Sequence, residues 1–171
     1  MKNNEKHLYY LNELSDYKVK SDDPDVRGWK IQDKESRAIG KVDNLLVNKQ
    51  TEKVVYLDIE VDKSIIEANH KPYSHSAKEG VHEFMNEEGE NHLIVPIGLV
   101  KLDHDNKLIH TSDIDHKTFA ETKRMKKGGT IDRDYEVAVL DSYNRDENNN
   151  YAEDENLYER KEYDSSNYRK A

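Results

Sequence analysis

Val54-Val55-Tyr56-Leu57-Asp58-Ile59-Glu60-Val61 is the clearest strand in the chain. Val55, Leu57, Ile59 and Val61 recur at every second position, the period of side chains on one face of a β-strand. Val54, Tyr56, Asp58 and Glu60 fall on the other face and grow polar toward the end. One dry face and one wet face is the pattern of a small antiparallel barrel wall. Leu57 is therefore expected inside. Asp58 and Glu60, with Asp62 continuing the row, read as carboxylates about 7 Å apart on a polar outer wall.

Working outward, residues 48–52 are a polar connection of hairpin length. Before them, residues 38–48 carry Ile39, Val42, Leu45, Leu46 and Val47, whose parity changes partway. That change predicts a bulge, with Gly40 as its place, or a strand covered on both faces. Upstream, Gly28-Trp29-Lys30-Ile31 leads through a polar turn at residues 33–36, with Trp29 expected to be substantially buried. Residues 21–25 read as a turn. In residues 8–19, Leu8, Leu11 and Leu14 with Tyr10 and Tyr17 suggest a short helix or ordered arm, too short to persist unless it docks.

Downstream, residues 62–91 are poor in apolar side chains and read as an irregular excursion. Strand character returns at residues 93–102, turns at 103–106 and resumes at 107–111. Ile114, Phe119 and Met125 are then isolated apolar anchors before Gly128 and Gly129. Asp132 can cap a helix through Tyr135, Val137, Ala138, Val139 and Leu140 to about Tyr143. From residue 144 onward Leu157 is the only aliphatic side chain larger than alanine, so the tail is expected to stay disordered.

Composition agrees with one domain plus a tail: of 171 residues, 34% are hydrophobic and 37% charged, so the apolar residues must be concentrated in part of the chain. The absence of cysteine excludes disulfides, thiolate metal sites and thiol nucleophiles. The formal charge of -9 repels phosphate backbones and acidic membrane surfaces. With no secretory signal readable and no run long enough to span a bilayer, a cytoplasmic location is expected.

The chemistry-bearing residues are few. Of eight histidines, His70, His75, His82 and His92 gather in or beside the long excursion, but without the close spacing of a helical metal motif. They read as solvated loop histidines, and no metal site is expected. Gly128-Gly129 lacks the preceding strand and the Lys-Ser/Thr ending of a phosphate loop, and no Ser, His and Asp set is recognisable, so neither catalytic residues nor a cofactor are expected. Lys117, Lys123, Arg124, Lys126 and Lys127 form the only concentrated basic patch, a candidate surface for an acidic partner, the chain's own acidic tail or RNA. Tyr143, Tyr151, Tyr158, Tyr163 and Tyr168 recur among the tail charges, as contact anchors or as idle parts of a solubilising segment.

Gly28-Trp29-Lys30-Ile31, Ala38-Ile39-Gly40-Lys41-Val42, Leu45-Leu46-Val47, the strand from Val54 to Val61 and Leu93-Ile94-Val95-Pro96-Ile97-Gly98 together resemble the PRC-barrel family over residues 24–112. That family includes the cytoplasmic domain of the photosynthetic reaction-centre H subunit, the C-terminal domain of a ribosome maturation factor and small stand-alone bacterial proteins, often linked to stress physiology. Residues 130–143 are similar to the extension after the barrel in the H-subunit branch, although the membrane helix of a true H subunit is not seen. The resemblance implies a mainly β fold, a small barrel of bent antiparallel strands used for docking, and it carries over no catalytic residue. The expected organisation is an N-terminal arm at 1–23, the barrel at 24–112, an extension with a short helix at 113–143 and a disordered tail at 144–171. The expected role is a non-enzymatic adaptor for a protein partner, with self-association compatible. The alternatives are an RNA- or ribosome-associated processing factor and a peripheral component of an electron-transfer or photosynthetic-type complex.

Overall fold

The computed structural model describes residues 8–11, 26–48, 53–62, 91–103, 105–111, 114–122, 124–125, 128–129, 131–143 and 157–163. The strands are β1 (Leu8–Tyr10), β2 (Lys30–Gln32), β3 (Ala38–Asn48), β4 (Lys53–Val61), β5 (His92–Pro96), β6 (Val100–Asp103) and β7 (Leu108–Thr111). The helices among the described residues are α1 (His116–Ala120) and α2 (Arg133–Tyr143). The fold is mainly β, as the alternation predicts.

The strands form one sheet in the order β5-β4-β3-β2-β7-β6, with β1 also paired to β3. The end strands β5 and β6 are joined by a single 3-10 turn, Ile97–Leu99. That link reaches at most about 14 Å. Laid flat, the six strands of the path would hold β5 and β6 about 24 Å apart. The sheet must therefore curl, which makes it a half-barrel. All strand pairs are antiparallel except β2 with β7, which is parallel because the chain returns to β2 through the β6–β7 hairpin. The expectation of antiparallel strands throughout is corrected at that pair.

The β3–β4 hairpin is the centre of the core. Leu57 lies opposite Leu45 on β3 and Val95 on β5, and Ile59 lies between Val42 and Leu93. All six are buried, as the alternation requires. At Gly40 the strands approach so closely that an added Cβ would stand 2.9 Å from Val61 Cα, so only glycine fits there. The β2–β3 ladder slips beside Gly40, where Ile31 pairs with Gly40 and Gln32 with Ala38, as expected; the β3–β4 ladder has further irregularities between Val42 and Asn44 and between Leu46 and Val47.

The other face of β4 overturns the polar-wall reading. Tyr56 and Asp58 are as buried as Leu57, and only Val54 and Glu60 near the strand ends reach partial exposure. Helix α2, the backbone ladder from His92 to Met125 and the C-terminal segment 157–163 cover this face. Helix α2 begins where the sequence predicts: Asp132 Oδ1 accepts from Tyr135 N at 2.9 Å.

The two ends of the chain differ in outcome. Of the helix and the docked arm expected at the N-terminus the structure shows the arm, Leu8–Tyr10, as a strand: Leu8 and Tyr10 share one face and β3 offers its open edge at Asn48 and Leu46. The Tyr10 hydroxyl then donates to Gly129 O at 2.7 Å. Residues 157–163, expected to be disordered, form two 3-10 turns with Leu157 and Tyr163 buried. The composition argument weighed aliphatic side chains, whereas tyrosines supply the buried area here. Trp29 is partly buried. The interior of the 62–91 excursion and the arm beyond Leu11 lie outside the described residues.

Asp33 locks the β2–β3 turn to α1. Its carboxylate accepts from Glu35 N, Arg37 N and Arg37 Nε, and from His116 N at 2.8 Å. Burial pushes the Asp33 pKa up, but these donors outweigh it and hold the group below its ordinary value. Asp33 therefore adds stability above the usual carboxylate range, and that contribution is lost as pH falls through the lower folded value. Asp33→Ala is expected to cost about 1–3 kcal/mol at neutral pH. In urea unfolding, the gap to wild type should narrow below about pH 4; a pH-independent gap would show that the carboxylate charge plays no part.

Candidate functional site

The polar residues buried beneath α2 form two groups. In the first, His92 opens β5 and lies diagonally from Asp58 on β4, on the same face. His92 Nδ1 and Asp58 Oδ1 are 2.8 Å apart, and both side chains are almost wholly buried. The β3 bulge supplies the third member. By inserting an extra residue between Val42 and Asn44 it turns Asp43 toward this face. Asp43 Oδ2 comes to 4.0 Å from His92 Nε2, with the Asp43 side chain 25% exposed. Asp58 thus engages Nδ1 of the ring, and Nε2 is the nitrogen that faces Asp43. Arg124 and Tyr135 border the group. Burial raises the Tyr135 pKa well above its ordinary value, with Tyr143, Asp58 and Tyr10 adding to the rise and Arg124 opposing it, so the phenol stays neutral.

The second group centres on Glu136 of α2, which is fully buried. Its Oε1 accepts from Tyr56 at 2.8 Å and from Tyr158 at 2.6 Å, and Arg133 Nε approaches Oε2 at 3.4 Å. The Tyr56 and Tyr163 hydroxyls meet at 2.6 Å, and the three tyrosine rings stand edge to face. Burial, then Tyr163 and Glu136, push the Tyr56 pKa far up, so it serves as a neutral donor to a buried carboxylate. This group fastens the C-terminal segment to the sheet.

Lys117 on α1 is exposed, but Arg124 is 2% exposed and belongs to the interior beside the first group. Its neighbour Met125 pairs with β5, which draws Arg124 under the sheet face rather than into solvent. Lys123, Lys126 and Lys127 lie outside the described residues, as do His70, His75 and His82 and the tail tyrosines Tyr151 and Tyr168. His92 is not a solvated loop histidine; it is the buried first residue of β5, an end strand of the sheet. Asp43 was not distinguishable as a site residue until the bulge was placed. The signal for it was the parity change in residues 38–48. Among the described residues no helix is long and apolar enough to cross a membrane.

No protein-family model matches this chain, and none of the curated proteins compared with it matches either.

Proposed function

We propose that the chain is a binding module of the PRC-barrel kind that docks a protein partner without catalysing a reaction. The observation that carries this reading is positional: the motif segments around Trp29, Ile39 to Val47, Val54 to Val61 and Leu93 to Pro96 occupy β2, β3, β4 and β5, which are neighbours in that order in one curled sheet. A rigid sheet whose inward polar groups are engaged with one another suits a platform better than a reacting cleft. An RNA-binding reading loses support because Arg124 leaves the basic patch for the interior.

The test is capture from native lysate with the full chain as bait, followed by reconstitution with the purified candidate. A stoichiometric protein that rebinds in purified form and stays bound at raised salt supports the docking role. Retention that disappears with ribonuclease or falls steeply with salt transfers the assignment to RNA. Repeated failure to retain any protein overturns it.

A further inference from the structure

We infer that Asp43 and His92 form a binding site for a divalent first-row metal ion such as zinc or cobalt, with Asp58 as the carboxylate that orients the imidazole. The site is independent of the docking role.

Three observations carry it. The bulge between Val42 and Asn44 places Asp43 on the face where His92 and Asp58 already lie, and one potential ligand atom from each residue falls within 4.8 Å of the other two. Asp58 holds Nδ1 of His92 at 2.8 Å, the carboxylate-to-histidine arrangement that fixes the tautomer and ring orientation of metal-binding imidazoles. Finally, Nε2 of a histidine that is 1% exposed faces Asp43 Oδ2 at 4.0 Å, beyond hydrogen-bond reach.

That gap suits an ion better than a proton. A tetrahedral ion about 2.1 Å from each donor would set the two donors roughly 3.4 Å apart. The partly exposed Asp43 side chain can make up the difference by a small rotation, whereas His92 and Asp58 are fixed by burial. One imidazole nitrogen with carboxylate oxygen selects borderline ions over calcium, which takes only oxygen. Asp43 lies on the solvent side, so the remaining coordination positions open toward water.

The probes are Zn2+ by titration calorimetry and Co2+ by visible absorption, both on the full chain. Because the sequence carries further histidines, a variant with His70→Asn, His75→Asn and His82→Asn is measured in parallel. One ion per chain is expected in wild type and in this triple variant, with cobalt bands of a nitrogen–oxygen site. Asp43→Asn should weaken binding at least about 10-fold while leaving the melting temperature near wild type. Asp58→Asn should weaken it about 10- to 100-fold, as loss of an orienting carboxylate does. Should Asp58→Asn fail to fold, Asp43→Asn alone decides. Three results each overturn the site: no binding by wild type at millimolar metal, unchanged affinity in Asp43→Asn, or loss of binding in the triple variant.

Discussion

Truncation after Tyr143 should lower the unfolding free energy by about 3–5 kcal/mol, the loss typical of deleting one buried aromatic side chain. The cut removes Leu157, Tyr158 and Tyr163 together. Leu157 and Tyr163 are buried, and the second C-terminal turn packs against the Ile97–Leu99 link that closes the sheet. Without them the Tyr56 hydroxyl loses Tyr163 while keeping Glu136, and Glu136 loses the Tyr158 donor. Glu136 keeps Tyr56 and Arg133, but a buried carboxylate that loses one of its donors is costly until water replaces it. Ordering the seven residues of the segment works against the contacts, so the net effect is well below the gross buried area. Urea melts of the two chains measure the difference. A truncated chain as stable as the full one would show that residues 157–163 do not dock in solution. Tyr163→Phe separates the hydroxyl from the ring, and it should cost only about 1 kcal/mol.

That result would reverse what composition alone says of the tail, and the reason is general. Local patterns report the face a strand turns to its neighbours, but not what later covers the opposite face. The Val55 to Val61 alternation and the Asp132 cap were legible because both depend on residues a few positions apart. The second face of β4 was not. Tyr56 is covered by Glu136 and Tyr163, which are 80 and 107 positions away. Asp58, with nothing local to mark it as interior, read as a solvated carboxylate for the same reason.

The metal group was legible only in fragments. The parity change in residues 38–48 announced a bulge, and one falls beside Gly40 in the β2–β3 ladder, where β4 also approaches closely. The irregularity that matters for this group is a different one, at Asp43 in the β3–β4 ladder. His92 sits at the junction of a polar excursion and an apolar run, so its side chain could be assigned to either. Its backbone pairing with Met125 places it inside the sheet. Arg124 follows from that pairing, since the residue next to Met125 is carried under the same face.

Leu57→Ala is the sharpest test of the core, with an expected cost of about 2–5 kcal/mol. Leu57 is 0% exposed and sits between Leu45 and Val95 at the middle of the best-paired strand. β4 is held by ladders to β3 on one side and β5 on the other, so the surroundings cannot collapse freely into the space left behind, which places the cost toward the upper part of that range. For a chain of 171 residues such a loss lowers the melting temperature by roughly 10 °C. In a barrel wall with one wet face, Tyr56→Ala would be nearly silent, and comparing the two variants would report the strand register. Here both faces are buried, so Tyr56→Ala should also be destabilising, by about 3–5 kcal/mol, as large aromatic deletions are. The informative comparison is with Glu60→Ala, the one partly exposed position among them, which should change stability by less than about 0.5 kcal/mol. Large losses at Leu57 and Tyr56 with a small one at Glu60 confirm a strand covered on two sides. A silent Tyr56→Ala would instead mean that α2 and the C-terminal segment do not close over the sheet.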